Sequence, residues 1–168
     1  MTMENNEYHN PVLLKETVDG LNIKPDGVYV DVTFGGGGHS REIMKRLGPN
    51  GKLFGFDQDE DALANVIEDD RFQLINENFR FIKRYLRFHG IKQVDGILGD
   101  LGVSSHQFDV AERGFSTRFE AELDMRMNQK GDLSAYNVIN DYDESQIASV
   151  LSQYGELTNA RAMASAIV

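Results

Sequence analysis

Cysteine is absent from all 168 residues, which excludes disulfides, thiolate catalysis and cysteine-based zinc sites. The four histidines are scattered with no His-x-x-x-His pair, so no metal is expected. No run approaches the ~18 apolar residues of a membrane helix, and the polar opening Met1-Thr2-Met3-Glu4-Asn5-Asn6 is no secretory signal. These absences predict a soluble, cytoplasmic chain with no membrane partner. Positive charge is also scarce. With 17 Lys and Arg against 27 Asp and Glu, the net charge of −10 argues against indiscriminate nucleic-acid binding. What the chain does have is 40% hydrophobic residues, enough at this length for one real core.

Glycine, by contrast, is concentrated. Residues 31–40 read Asp31-Val32-Thr33-Phe34-Gly35-Gly36-Gly37-Gly38-His39-Ser40, four glycines in a row after a β-type segment. Backbone approaches a bulky ligand closely only where Cβ atoms are missing, and a following helix offers unpaired N–H groups. A dinucleotide fingerprint G-x-G-x-x-G fails, because Ser40 occupies the third glycine position counted from Gly35. A P-loop fails for want of Gly-Lys-Ser or Gly-Lys-Thr. What remains is an acid, three residues and Gly-x-Gly, the turn that S-adenosylmethionine (SAM) methyltransferases place after their first strand; from the loop alone a plain turn stays open. The segment Leu53-Phe54-Gly55-Phe56-Asp57 then reads as a buried strand ending in a carboxylate, about 20 residues on, the spacing at which a doubly wound fold delivers an acid to a ribose. Asp57 is the expected ribose anchor, with an N-cap for the next helix as its alternative role.

Strands are predicted over 28–34, 52–57, 71–75 and 94–98, alternating with helices over 38–47, 60–67 and 79–89. Such alternation implies an open α/β fold with a parallel sheet, its ligand at the carboxyl ends of the strands. In the third helix Arg80, Lys83, Arg84 and Arg87 recur at helical spacing beside Phe81, Ile82, Tyr85 and Leu86, a basic stripe that is either a solvated face or an RNA-facing patch.

After Asp100 the pattern changes. Residues 101–127 read as loop, and 134–140, 144–154 and 159–168 as helices with Asp132, Asp143 and Thr158 as N-caps and with Ile147, Val150, Leu151 and Tyr154 as one apolar face. The expected division is a core over 1–104 and a loop-plus-helix region over 105–168. The last nine residues remain in helical register to Ile167-Val168 with no cap, which reads as a cut chain. A fourth strand with an open parallel edge is a surface proteins normally cover, and it offers a route to a homodimer.

Three blocks together resemble one family: His9-Asn10-Pro11-Val12-Leu13-Leu14-Lys15-Glu16; Asp31 to Ser40; and Asp95-Gly96-Ile97-Leu98-Gly99-Asp100-Leu101-Gly102-Val103-Ser104-Ser105 with Arg113-Gly114-Phe115-Ser116 and Leu123-Asp124-Met125-Arg126-Met127. They are similar to the bacterial 16S rRNA (cytosine-N4)-methyltransferase family, RsmH or MraW. The resemblance implies a class I SAM-dependent methyltransferase fold interrupted by a helical insertion, and methylation of the exocyclic N4 of a cytidine in 16S rRNA of the small ribosomal subunit. It assigns Gly37, Gly38 and His39 to SAM through the glycine loop, Asp57 to the ribose, Phe79 to the adenine side, and Asp100 and Gln107 to the rest of the pocket. The Pro-Pro motif of many other N4-amino methyltransferases is replaced here by Asp100-Leu101-Gly102-Val103-Ser104-Ser105, and His106 stands where relatives often have proline.

Within that resemblance Asp100 is the expected catalytic acceptor for the cytosine N–H groups, with Arg113, Phe115 and Arg126 as candidate RNA contacts. Relatives run well past residue 168, so the chain is expected to cover their amino-terminal part. The rival expectation is a non-catalytic fragment that holds SAM and associates through its open edge.

Overall fold

The computed structural model describes residues 11–168, so His9 and Asn10 of the first block lie outside the described residues. The chain divides into two compact units, the second beginning at Val103.

The first unit is built on four short strands, β1 (Val28–Asp31), β2 (Lys52–Phe56), β3 (Phe72–Ile75) and β4 (Gly96–Leu98), all parallel in the order β3-β2-β1-β4. Between them lie helix α2 (Gly38–Arg46), a 3-10 helix over Glu60–Asn65, and a 3-10 turn (Phe79–Phe81) running into α3 (Ile82–Phe88). Helix α1 (Leu14–Gly20), which periodicity did not predict, precedes β1.

The period-2 geometry of the strands divides their side chains between two cores. Tyr29, Leu53, Phe72 and Leu98 join Val18, Ile43, Met44 and Leu47 in one. Val30, Phe54, Phe56 and Ile75 take Ile82, Tyr85 and Leu86 of α3 in the other. Both faces are covered, which is why β2 reads as a nearly continuous apolar run. β4 is an edge strand, and its Ile97 is 54% exposed.

The elements are shorter than expected. β1 stops at Asp31 rather than residue 34, because Asp31 turns its carboxylate back onto the Thr33 N–H. The segment expected as a helix over 60–67 is 3-10 and ends at Asn65, whose carbonyl accepts Arg41 Nη2 at 3.0 Å.

In the second unit, α4 (Ser105–Asp109) opens on a reciprocal capping box between Ser104 and Gln107, so the stretch after Asp100 is not all loop. A 3-10 turn over Ala111–Arg113 ends at Gly114 with φ 71°, where a Cβ would meet the Asp124 N and Glu122 O atoms at 2.6 Å. Arg113 is only 3% exposed and donates to the Arg126 carbonyl at 2.8 Å; Arg126 grips Asp124, which lowers that carboxyl's pKa. Two of the expected RNA contacts are therefore committed to holding this loop together.

Helix α5 (Ala135–Asp141) is capped by Ser134 instead of Asp132, α6 (Glu144–Gln153) by Asp143 as expected, and α7 (Ala160–Ile167) starts after Asn159 instead of Thr158. Ile147, Ala160 and Ala164 are buried, whereas Tyr154, expected on the apolar face, is 83% exposed beyond the end of α6.

Candidate functional site

The site grows from the carboxyl end of β1. Past Asp31 the backbone still follows its neighbours: Val32 N–H donates to the Leu98 carbonyl at 2.9 Å and Phe34 N–H to the Phe56 carbonyl at 3.0 Å. The glycine loop is thus suspended between the ends of β4 and β2. Gly35 and Gly37 both have positive φ, 49° and 74°, and Gly37 is the N-cap of α2. At Gly37 a Cβ would stand 2.9 Å from the Phe34 ring and 2.8 Å from Arg41 Nη1, so both conformation and space require glycine. Pro11 packs against Gly38 so closely that a Cβ there would collide with its ring.

Asp57, at the end of β2, accepts the Gly35 N–H at 2.7 Å and the Asp59 N–H at 2.9 Å. Burial raises its pKa, and the N–H groups of Asp59 and Gly35 oppose that rise. The N-cap of the next segment is Asp59, which accepts the Asp61 N–H, so Asp57 is not the cap. Arg41 and Asn65 close the outer side of the loop: Arg41 donates to the carbonyls of Gly36 and Asn65, and Asn65 Nδ2 to the Gly35 carbonyl at 3.2 Å.

Asp31 is completely buried. Its Oδ2 accepts Ser40 Oγ at 2.7 Å and its Oδ1 the Thr33 N–H at 3.1 Å. Burial raises its pKa, with the Ser40 hydroxyl opposing. Next to it His39, although in the first turn of α2, is buried, and its Nε2 has no hydrogen-bond partner. A surface histidine is thereby excluded.

At the end of β3, Asn76 Nδ2 donates to the Asp57 carbonyl at 2.9 Å, and Asn78 Nδ2 to Gln58 Oε1 at 2.9 Å while capping the 3-10 turn. Phe79 follows, 42% exposed, so it is not core packing at a helix start. At the end of β4, Asp100 is exposed and its N–H donates to Thr33 Oγ1 at 2.8 Å.

The strand ends therefore gather the glycine loop, His39, Asp57, Phe79 and Asp100 within the first unit. Gln107 lies in the second unit, buried, with Oε1 accepting the Ser104 N–H at 3.0 Å. Sequence reasoning passed over Thr33, Ser40, Asn76 and Asn78. Ser40 carried a signal: a hydroxyl stands where a dinucleotide loop has glycine, nine residues from a strand-end acid.

The strand ends thus carry a buried histidine nitrogen without a hydrogen-bond partner among the described residues, a glycine, Gly35, where an added Cβ would touch almost nothing, and a carboxylate, Asp57, that accepts two backbone N–H groups and has lone pairs to spare. The family model described as "MraW methylase family" matches residues 6–168. Among curated proteins, the chain is 76% identical over 162 residues to "Ribosomal RNA small subunit methyltransferase H" of Flavobacterium johnsoniae, covering 96% of this chain and 54% of that one. It is 71% identical over 162 residues to the protein of the same name from Christiangramia forsetii, with the same coverage of each. With that of Bacteroides thetaiotaomicron it shares 60% over 168 residues, covering 99% of this chain and 55% of the other. The chain spans about half the length of the curated relatives it matches. With its parallel α/β sheet and a family match over nearly its whole length, the chain belongs to the MraW methylase family.

Proposed function

We propose that the chain is the cofactor-holding part of a SAM-dependent methyltransferase that acts in the cytoplasm on the N4 amino group of a cytidine in 16S rRNA of the small ribosomal subunit. The observation that carries this reading is the suspension of the glycine loop between two carboxylate-bearing strand ends, by Gly35 N–H to Asp57 on one side and Asp100 N–H to Thr33 on the other.

SAM supplies an electrophilic methyl group on a cationic sulfur. Gly37, Gly38 and His39 border its place on the loop, the buried ring nitrogen Nε2 of His39 having no hydrogen-bond partner among the described residues. Asp57 spends lone pairs on the Gly35 and Asp59 N–H groups and keeps acceptor capacity for the two ribose hydroxyls. Exposed Phe79 offers a face to the adenine. Cytosine N4 is a weak nucleophile because its lone pair is delocalised into the ring. Asp100 accepts its N–H as positive charge develops on nitrogen, and water takes the proton afterwards. The target base is unpaired or extruded from its stack.

Calorimetry with SAM tests the pocket, and incorporation of labelled methyl into small ribosomal subunits tests the reaction. A second reading, a SAM-holding unit without turnover that pairs with another copy, is favoured by the open edge of β4 with its exposed Ile97. Cofactor heat without methyl incorporation, together with a dimer in sedimentation, selects it.

A further inference from the structure

Residues 79–92 carry five of the chain's 17 Lys and Arg and none of its 27 Asp and Glu. Elsewhere in this acidic chain several cations are paired: Lys24 with Asp95, Arg46 with Asp19 and Glu42, Arg71 with Asp69, Arg118 with Asp109. On α3 they are not. Arg80, Lys83, Arg84 and Arg87 are all exposed, and among the described residues none of them has a carboxylate partner.

Their direction is set by packing. Ile82, Tyr85 and Leu86 face the second core, which turns Lys83, Arg84 and Arg87 outward on successive turns. At the end of the same helix Phe88 is 84% exposed. Its ring stands edge-on to His89 at 5.3 Å and 88°, and His89 in turn lies 5.3 Å from the ring of buried Phe54. The exposed ring is braced from below.

We infer that the outer face of α3 is an RNA-docking surface, on which Lys83, Arg84 and Arg87 take backbone phosphates and Phe88 stacks an unpaired base. A row of free cations beside an exposed aromatic ring is the combination single-stranded nucleic acid needs, charge for the backbone and a π face for the base. A lipid surface is a poorer match, because the apolar side of α3 is already used in the core and leaves no face to insert. The inference takes its class of partner from the proposed function and adds the place where that partner is held.

The test is fluorescence anisotropy of a labelled single-stranded oligoribonucleotide titrated with the chain across a salt series, with SAM calorimetry in parallel. For the triple variant Lys83→Gln/Arg84→Gln/Arg87→Gln, the slope of log affinity against log salt becomes shallower by about two and low-salt affinity falls about tenfold or more. Phe88→Ala keeps the slope and loses about fivefold or more in affinity. SAM heat is unchanged in both. Wild-type affinity and slope in the triple variant overturn the docking surface, as does a wild-type chain that ignores RNA while binding polyglutamate. RNA binding that depends on these residues in a chain giving no SAM heat upholds the surface and rejects the methyltransferase reading alone.

Discussion

Ser40 Oγ donates to Asp31 Oδ2 at 2.7 Å across the base of the glycine loop, tying the first turn of α2 to the end of β1. The bond is buried at both ends, and through the Asp31 contact to the Thr33 N–H it shares a frame with the group that holds Asp100. Burial raises the Asp31 pKa, so its contribution to stability is complete below the ordinary aspartate value of 3.8 and is lost as pH rises through the raised value. Asp31→Asn cannot ionise. The gap in unfolding free energy between wild type and this variant should move in the variant's favour as pH climbs from the carboxylate range toward neutrality, measured by urea denaturation at a series of pH values. A gap independent of pH would show that Asp31 ionises without cost.

The opposite sign is expected on the surface. Hydrogen bonds from Arg71 lower the Asp69 pKa to about 2, so that pair contributes stability above the ordinary value of 3.8 that is lost as pH falls toward about 2. In Asp69→Asn the acid limb of the stability profile should flatten over that window. Denaturation midpoints in acidic buffers read this directly, and an unaltered limb would remove the pair from the acid response.

Asp57→Ala is expected to weaken SAM binding by roughly 1–3 kcal/mol through loss of a charge-assisted acceptor. The structure adds a second effect, because Gly35 and Asp59 lose their acceptor and the loop loses its anchor. Asp57→Asn retains one acceptor oxygen and should fall between wild type and Asp57→Ala. Titration calorimetry separates the three, and equal affinities would take Asp57 out of the site.

Gly37→Ala should destabilise the fold by about 1–2 kcal/mol from its left-handed backbone alone, before counting contact with the Phe34 ring. Chemical denaturation measures the loss. A variant as stable as wild type would mean the loop has another conformation open to it.

Thr33→Val keeps shape and removes the hydroxyl that accepts the Asp100 N–H. Methyl transfer is expected to fall by about 10- to 100-fold through misplacement of Asp100, while Thr33→Ser, which keeps the hydroxyl, restores it. The comparison is of kcat at saturating SAM, since a purely structural loss would lower stability in both variants and spare neither.

Much of this architecture was written locally. The alternation of apolar strands with amphipathic segments announced the four strands and their parallel direction, because period 2 and period 3.6 are properties of neighbouring residues. Asp143 marked the start of its helix correctly for the same reason: a cap acts within one turn. Where competing caps stood close together, as with Asp132 and Ser134, the winner depended on which residue had Asn137 three places ahead to complete the box.

By itself, then, the sequence determined the kind of fold, the glycine turn, the acids at the ends of two strands and the basic stripe on α3. Tertiary structure alone decided which polar groups meet. The bonds from Gly35 to Asp57 and from Asp100 to Thr33 join residues 22 and 67 positions apart. The burial of His39 and Arg113 and the exposure of Phe79 and Phe88 depend on what packs beside them, and no local pattern carries that. Spacing along the chain dictates backbone conformation, whereas a site is made of contacts between segments that only the folded sheet brings within hydrogen-bond reach.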